Sequence, residues 1–196
     1  MNHLAHFFLS FEQESLLVGN YMADFALGSS YLDMQPEIQQ GVLLHRFIDN
    51  FTDAHPAVKK SKARIAKAQG RYTPVVVDVL YDHLLAITWE KYNNEPLPHF
   101  ATTTYRQLDR HKHLFPERLL FRFEHMKTHD WLTHYATEYG IKRALSELSK
   151  RARFANRMEY AFESLIDQKD SLQDDFQCFF PDMIGAASRF LGLAHF

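Results

Sequence analysis

Apolar residues recur at i, i+3, i+4 and i+7 after Pro36, where Leu44, Phe47, Ile48 and Phe51 form one stripe. That spacing predicts an amphipathic helix, with His45, Asp49 and Thr52 on its flank, at the edge of the core. After Pro74 the pattern changes: Val75 to Ile87 is almost wholly apolar, so as a helix it is buried nearly all round. Prolines at first-turn positions mark helix starts at Pro36, Pro56 and Pro74. The full pattern predicts helices over 2–10, 14–27, 36–53, 56–70, 74–92, 99–113, 116–127, 129–139, 141–167 and 171–179, and a final one from Pro181 to the C-terminus. Gly140 is expected to separate the 129–139 and 141–167 helices, and Asn93–Pro98 is the one break with the character of a boundary. The reading is therefore all-α: a single helical domain over residues 1–196, with the C-terminal helices added to one core.

The buried segment poses a chemical question. Asp78 and Asp82 lie four residues apart, about 40° apart on one helical face, and His83 follows the second. An unpaired buried carboxylate costs several kcal/mol, so the pair needs a cation, a donor network or a shared proton. A metal ion satisfies this, and so does Arg or Lys from a neighbouring helix. Other ligand-type residues precede the Asn93 break: His3, His6, Asp24, His45, Asp49, Asp53 and His55. Asp24 also stands in an apolar helical context, Met22–Leu27, whereas His3 and His55 read as surface or capping histidines. A mixed His/Asp set suits Mn²⁺, Mg²⁺, Fe²⁺ or Zn²⁺, and its oxygen-rich character leans to Mn²⁺ or Mg²⁺.

Composition removes other classes. The chain is 46% hydrophobic with 17 Phe, only seven Gly and seven Pro, and a net charge of −2. These values fit a globular helical protein with no global attraction to nucleic acid or anionic membrane. The lone Cys178 precludes an internal disulfide and is expected to be a buried thiol. The opening residues lack a basic leader region, and no apolar run spans a bilayer, so a cytoplasmic protein is expected. Neither H-E-x-x-H, a P-loop, G-x-G-x-x-G, E-x-x-H nor G-x-S-x-G occurs. Two basic stretches stand out. Residues 59–71 carry Lys59, Lys60, Lys62, Arg64, Lys67 and Arg71, and residues 142–157 carry Lys142, Arg143, Lys150, Arg151, Arg153 and Arg157. They are either solvated helix faces or docking surfaces for an acidic macromolecule.

Four ordered motifs give the chain a family resemblance. Asn2-His3-Leu4-Ala5-His6 resembles the N-x-L-A-H opening of the acyl carrier protein phosphodiesterases. Gly19-Asn20-Tyr21-Met22-Ala23-Asp24-Phe25 resembles their G-N-x-x-A-D-F element. His45-Arg46-Phe47-Ile48-Asp49 with Thr52-Asp53 resembles H-R-x-I-D-x-x-T-D, and Asp78 with Asp82-His83 resembles D-x-x-x-D-H. The resemblance implies an all-helical fold related to the HD-domain phosphohydrolases, although Asp82-His83 reverses the His-Asp order. It implies Mn²⁺ as cofactor, with Mg²⁺ or Fe²⁺ as alternatives, and holo acyl carrier protein as substrate. The reaction would hydrolyse the diester between 4′-phosphopantetheine and a serine, giving apo carrier protein and 4′-phosphopantetheine.

On that basis His6, Asp24, His45, Asp78 and Asp82 are the expected metal ligands, with Asp49 behind them as an orienting group. Asp24, Arg46 and His83 are expected to serve the chemical step, Arg46 by gripping a phosphate oxygen. Lys59, Lys60, Arg64, Arg151, Arg153 and Arg157 are the expected carrier-protein contacts. The 59–71 stretch is slightly favoured because it joins two motif helices. A small-nucleotide phosphohydrolase and a non-catalytic helical adaptor are the competing readings.

Overall fold

A computed structural model describes residues 1–26 and 28–193. Among them there is no strand, and the chain is helical as its patterning predicts. The helices are α1 (His3–Phe8), α2 (Glu14–Met22), α3 (Pro36–Ala54), α4 (Pro56–Gln69), α5 (Thr73–Ile87), α6 (Leu97–Arg110), α7 (Glu117–Thr128), α8 (Trp131–His134), α9 (Glu138–Arg151), α10 (Ala161–Asp167) and α11 (Lys169–Phe190). The expected end of the second helix at Leu27, and that of the last one at residues 194–196, lie outside the described residues.

Helix α5 lies in the middle of the core: Val76, Val77, Val79, Leu80, Tyr81, Leu84 and Leu85 are all buried. Around it pack residues from Leu4 in α1 to Ala187 in α11, forming one continuous apolar cluster. Asp82 sits fully buried in this setting, and its partners are backbone amides. Its carboxylate accepts N–H bonds from Asn2 at 3.2 Å, Leu4 at 2.7 Å and Ala5 at 3.3 Å. These are donors that the start of α1 leaves without intrahelical partners. Asp82 thus anchors α1 to the core, and burial pushes its pKa up to about 7 against the pull of the Met1 amino group and these amides.

Helices α2 and α3 cross at backbone contact, which two glycines permit. A Cβ on Gly19 would lie 2.0 Å from the Ile38 carbonyl oxygen, and one on Gly41 2.3 Å from that of Leu16. This crossing sets Asn20, next to Gly19, against His45, one turn after Gly41.

The second half departs from its pattern at four places. Residues 141–167 are two helices, because the Asn156 side chain bonds the Ser149 and Phe154 carbonyls and accepts from the Met158 N–H. Such local bonding competes with a helical ladder. Gly140 lies inside the first turn of α9, where a Cβ would meet the His134 carbonyl oxygen at 2.0 Å; its role is close approach, not a break. The expected 129–139 helix shrinks to the single turn of α8. Finally, α11 runs through Pro181, held by the buried Phe176, Phe179, Phe180 and Met183. With those side chains turned inward Cys178 faces out and is exposed, contrary to expectation.

Gly41→Ala is expected to cost about 1–3 kcal/mol by forcing the crossing apart, read from urea unfolding. Gly185→Ala, whose added methyl meets only the flexible Arg189 side chain, is expected to change stability by under about 1 kcal/mol.

Candidate metal centre

Four elements converge on one point. α1 supplies His6, α2 supplies Asn20, the short 3-10 turn Ala23–Phe25 supplies Asp24, and α3 supplies His45 and, one turn on, Asp49. Asn20 is buried, and its amide nitrogen donates to the His6 carbonyl at 2.8 Å and to Ser10 Oγ at 3.2 Å. With the nitrogen so committed, Oδ1 faces the two rings. It accepts from His6 Nδ1 and from His45 Nδ1, each at 2.9 Å. Both imidazoles therefore carry a proton on Nδ1, which leaves Nε2, on the far side, as the nitrogen that can offer a lone pair to a cation. The rings stack with centroids 4.2 Å apart.

Both Nε2 atoms meet Asp49: His6 at 3.3 Å from Oδ1 and His45 at 3.2 Å from Oδ2. His45 Nε2 is also 3.5 Å from Asp24 Oδ1. One ligand atom each from His6, His45 and Asp49 lies within 4.8 Å of the other two. Adjacent ligands about 2.1 Å from one ion are themselves about 3.0–3.4 Å apart, so these separations suit a divalent cation. A second observation agrees: Thr52 Oγ1, buried in the wall of the same cavity, has no protein partner.

The electrostatics also suit a cation. Burial lowers the His6 pKa and a charged His45 lowers it further, although Asp49 opposes this. Burial likewise disfavours a charged His45, but Asp24 and Asp49 outweigh it and push its pKa up to about 9. Burial raises Asp49, yet the bonds from His45 and His6 hold it well below the carboxylate range. His45, chiefly through its hydrogen bond, keeps Asp24 ionised, and the field of Arg122 contributes.

Of the ligands expected from sequence, the structure brings His6 and His45 together with Asp24 at their side, and it puts Asp49 in the cluster itself. Asp24 lies on a half-exposed turn, not in a buried helix. Asp78 lines the cavity but is 2.9 Å from the Met1 amino group and outside the convergent set. Asp82 is taken up by the amides of α1. His83, on the opposite flank of α5, donates from Nδ1 to the Tyr135 carbonyl at 2.6 Å, tying α5 to the chain after α8. Arg46 donates from Nη2 to the carbonyls of Ala26 at 3.0 Å and Gly28 at 3.2 Å and stands over the Tyr31 ring, away from the His6–His45–Asp49 cluster. His55 caps α4 by accepting from the Ala57 N–H, as expected.

Four residues escaped the sequence reading: Asn20, Thr52 in its orphaned role, His3 and Arg122. Asn20 stood inside a quoted motif, and its position beside Gly19 was the available signal. His3 is half-buried at the cavity wall: it packs near Phe7, Tyr21 and Trp131, and burial keeps it neutral, with a pKa lowered to about 3. Arg122, from α7, places Nη1 3.3 Å from Asp24 Oδ2. Nothing in its local sequence distinguishes it.

Two cavities meet here. One, of about 420 Å³, contains the cluster and extends to Asp53, Pro74 and Asp78. The other, of about 360 Å³, is walled by Arg122, Trp131, Tyr135, Tyr139, Arg143 and Leu148, among others. Asn2, His3 and Asp24 line both. Arg151 lines the second cavity, whereas no residue of 59–71 lines either, and Arg64 is paired with Asp175 at 2.9 Å.

A family model described as acyl carrier protein phosphodiesterase matches residues 1–183. A Yersinia pestis protein of that name is 31% identical over 96% of this chain and 98% of its own length. Proteins of the same name from Enterobacter sp. (strain 638) and Photorhabdus laumondii subsp. laumondii are 30% and 28% identical, each over 96% of this chain, and over 98% and 96% of their own lengths. No solved structure matches.

Asn20→Ala is expected to weaken Mn²⁺ binding about 10–100-fold by freeing both imidazole tautomers, measured by titration calorimetry. Asp82→Ala is expected to leave the binding stoichiometry intact and to lower stability by about 2–4 kcal/mol, since it strands several amides.

In the metal-free protein the folded pKa of His45 stands above its ordinary value of 6.5, at about 9. Its imidazolium therefore favours the fold most fully below pH 6.5, and that contribution fades as pH rises through 9. A cation needs the Nε2 lone pair, so binding at pH 7–8 is expected to release about one proton from His45, declining above pH 9. Calorimetry in buffers of different ionisation enthalpy measures this directly.

Proposed function

Because the chain belongs to the acyl carrier protein phosphodiesterase family, hydrolases of phosphodiester bonds, we propose that it removes 4′-phosphopantetheine from holo acyl carrier protein in a Mn²⁺-dependent reaction. His6, His45 and Asp49 would hold the ion, with Asp24 facing the same site across His45. When bound, the ion would supply Lewis-acid neutralisation of phosphoryl charge and ease ionisation of water.

The protein's own groups account for the rest. Asn20 holds both imidazoles in the tautomer that offers Nε2. Asp24, kept ionised, orients the attacking water toward phosphorus. Arg122, which carries a permanent fork of donors beside Asp24, grips a non-bridging phosphoryl oxygen, the role expected of Arg46 from the sequence. His3 enters the site neutral and can exchange hydrogen bonds there without adding charge. The water oxygen bonds to phosphorus, the bond from phosphorus to the serine oxygen breaks, and a proton from the water ends on that serine oxygen. The products are a serine hydroxyl and a phosphomonoester.

An acidic carrier protein suits the basic α9 side. Arg151 opens onto the cavity beside Asp24, and Arg153 and Arg157 stand over the rings of Phe154 and Tyr160. On α4, Lys59 and Lys60 are exposed and offer a second, more distant surface. The observation that carries the proposal is the pair of Asn20-held imidazoles aimed at Asp49, with Arg122 and Asp24 alongside.

Incubation with holo carrier protein and Mn²⁺ is expected to convert the carrier to its apo mass in intact mass spectrometry, and EDTA is expected to stop it. Arg122→Ala is expected to lower kcat by about 10²-fold, the usual loss for one donor aimed at developing charge. Arg46→Ala should lower stability and spare kcat. Full turnover in a rigorously metal-free sample would overturn the proposal.

A further inference from the structure

We propose that the 360 Å³ cavity between α8 and α9 seats the pantetheine arm of the substrate, an uncharged amide chain, with Trp131, Tyr139 and Ala144 shaping its fit. This rests on the function proposed above and assigns the substrate's longer arm to a definite place. The volume falls within the roughly 300–1,000 Å³ of small-molecule pockets.

Continuity is the first argument. Asn2, His3 and Asp24 belong to both cavities. A phosphoryl group held between Asp24 and Arg122 therefore stands at their junction. A chain leaving it can run into the second cavity without crossing the ligand cluster.

The second argument is charge. The walls carry three arginines, yet two of them are matched: Arg122 to Asp24 at 3.3 Å and Arg143 to Glu147 at 3.0 Å. Arg151 spends its Nε–H on the Glu147 carbonyl at 3.2 Å. Two of the three guanidinium charges are thus answered by carboxylates within the wall, so the cavity offers less to a second anion than three arginines suggest, and a neutral chain suits its depth.

The third is wall chemistry. Trp131, Tyr135, Tyr139, Ala144 and Leu148 give apolar and aromatic surface along which a thin aliphatic chain can lie. His134 donates from Nδ1 to the Asp130 carbonyl at 2.9 Å, and in the neutral ring that tautomer makes Nε2 the acceptor. An amide N–H is the partner that such an acceptor takes.

The test uses pantetheine, which lacks the phosphate, in titration calorimetry with the Mn²⁺-loaded full chain. Wild type is expected to bind it, Ala144→Phe to weaken binding about tenfold or more by filling the cavity, and kcat/KM on holo carrier protein to fall by a similar factor. Mn²⁺ stoichiometry and the thermal midpoint are the folding controls. If Ala144→Phe does not fold, Tyr139→Ala decides, since Tyr139 is 67% exposed at the rim and its truncation removes no core. Pantetheine binding that is absent in wild type, or unchanged in the folded variant, would overturn the assignment, as would tighter binding of adenosine. The two failures separate cleanly: a wild type that binds pantetheine but leaves holo carrier protein uncleaved sinks the function and spares the pocket. One that cleaves the carrier with no variant effect sinks the pocket and spares the function.

Discussion

One carbonyl oxygen organises the site. Asn20 Oδ1 receives two imidazole N–H groups, at 2.9 Å each, and by doing so fixes which face of both rings can donate a lone pair. It can do this only because its own nitrogen is spent on the His6 carbonyl and Ser10, which also fastens α1 to α2. The Gly19–Gly41 crossing delivers α3 close enough for His45 to share the same oxygen. Any side chain beyond hydrogen at either glycine would move His45 away from Asn20. Helix packing and the geometry of the imidazole pair are thus one constraint.

The buried carboxylate of α5 serves that constraint from below. Asp82 binds the amides at the start of α1, and α1 carries His3 and His6. An apolar context correctly marks such a residue as buried and in need of partners. It says nothing of which partners, and a helix terminus satisfies a carboxylate as well as a cation does. The same ambiguity explains His83, whose partner is a carbonyl 52 residues away in sequence.

Local pattern carried the helical class, the proline-marked starts of α3, α4 and α5, and the stripe of α3. It failed where a distant contact or a side-chain turn decided the outcome: Asn156 interrupting 141–167, aromatic packing carrying α11 through Pro181, Gly140 serving close approach. At the site, His6, His45 and Asp24 were legible because they fall in compact motifs. Asp49, expected behind the ligands, lies against both imidazoles, and Arg122 was invisible because only the tertiary fold brings α7 beside the turn that bears Asp24. Arg46 shows the limit of sequence adjacency. A basic residue next to a ligand in sequence points about 100° away on the helix, and here it holds the Ala26 and Gly28 carbonyls.

The most direct test of the account is to locate the ion. In a crystal grown with Mn²⁺, anomalous scattering at the manganese edge is expected to give its strongest peak at bonding distance from His6 Nε2, His45 Nε2 and an Asp49 oxygen, roughly 2.0–2.3 Å. The Asn20 carbonyl should still accept from both Nδ1 atoms. A peak coordinated instead by Asp78 or Asp82, or no manganese between the two imidazoles, would contradict it.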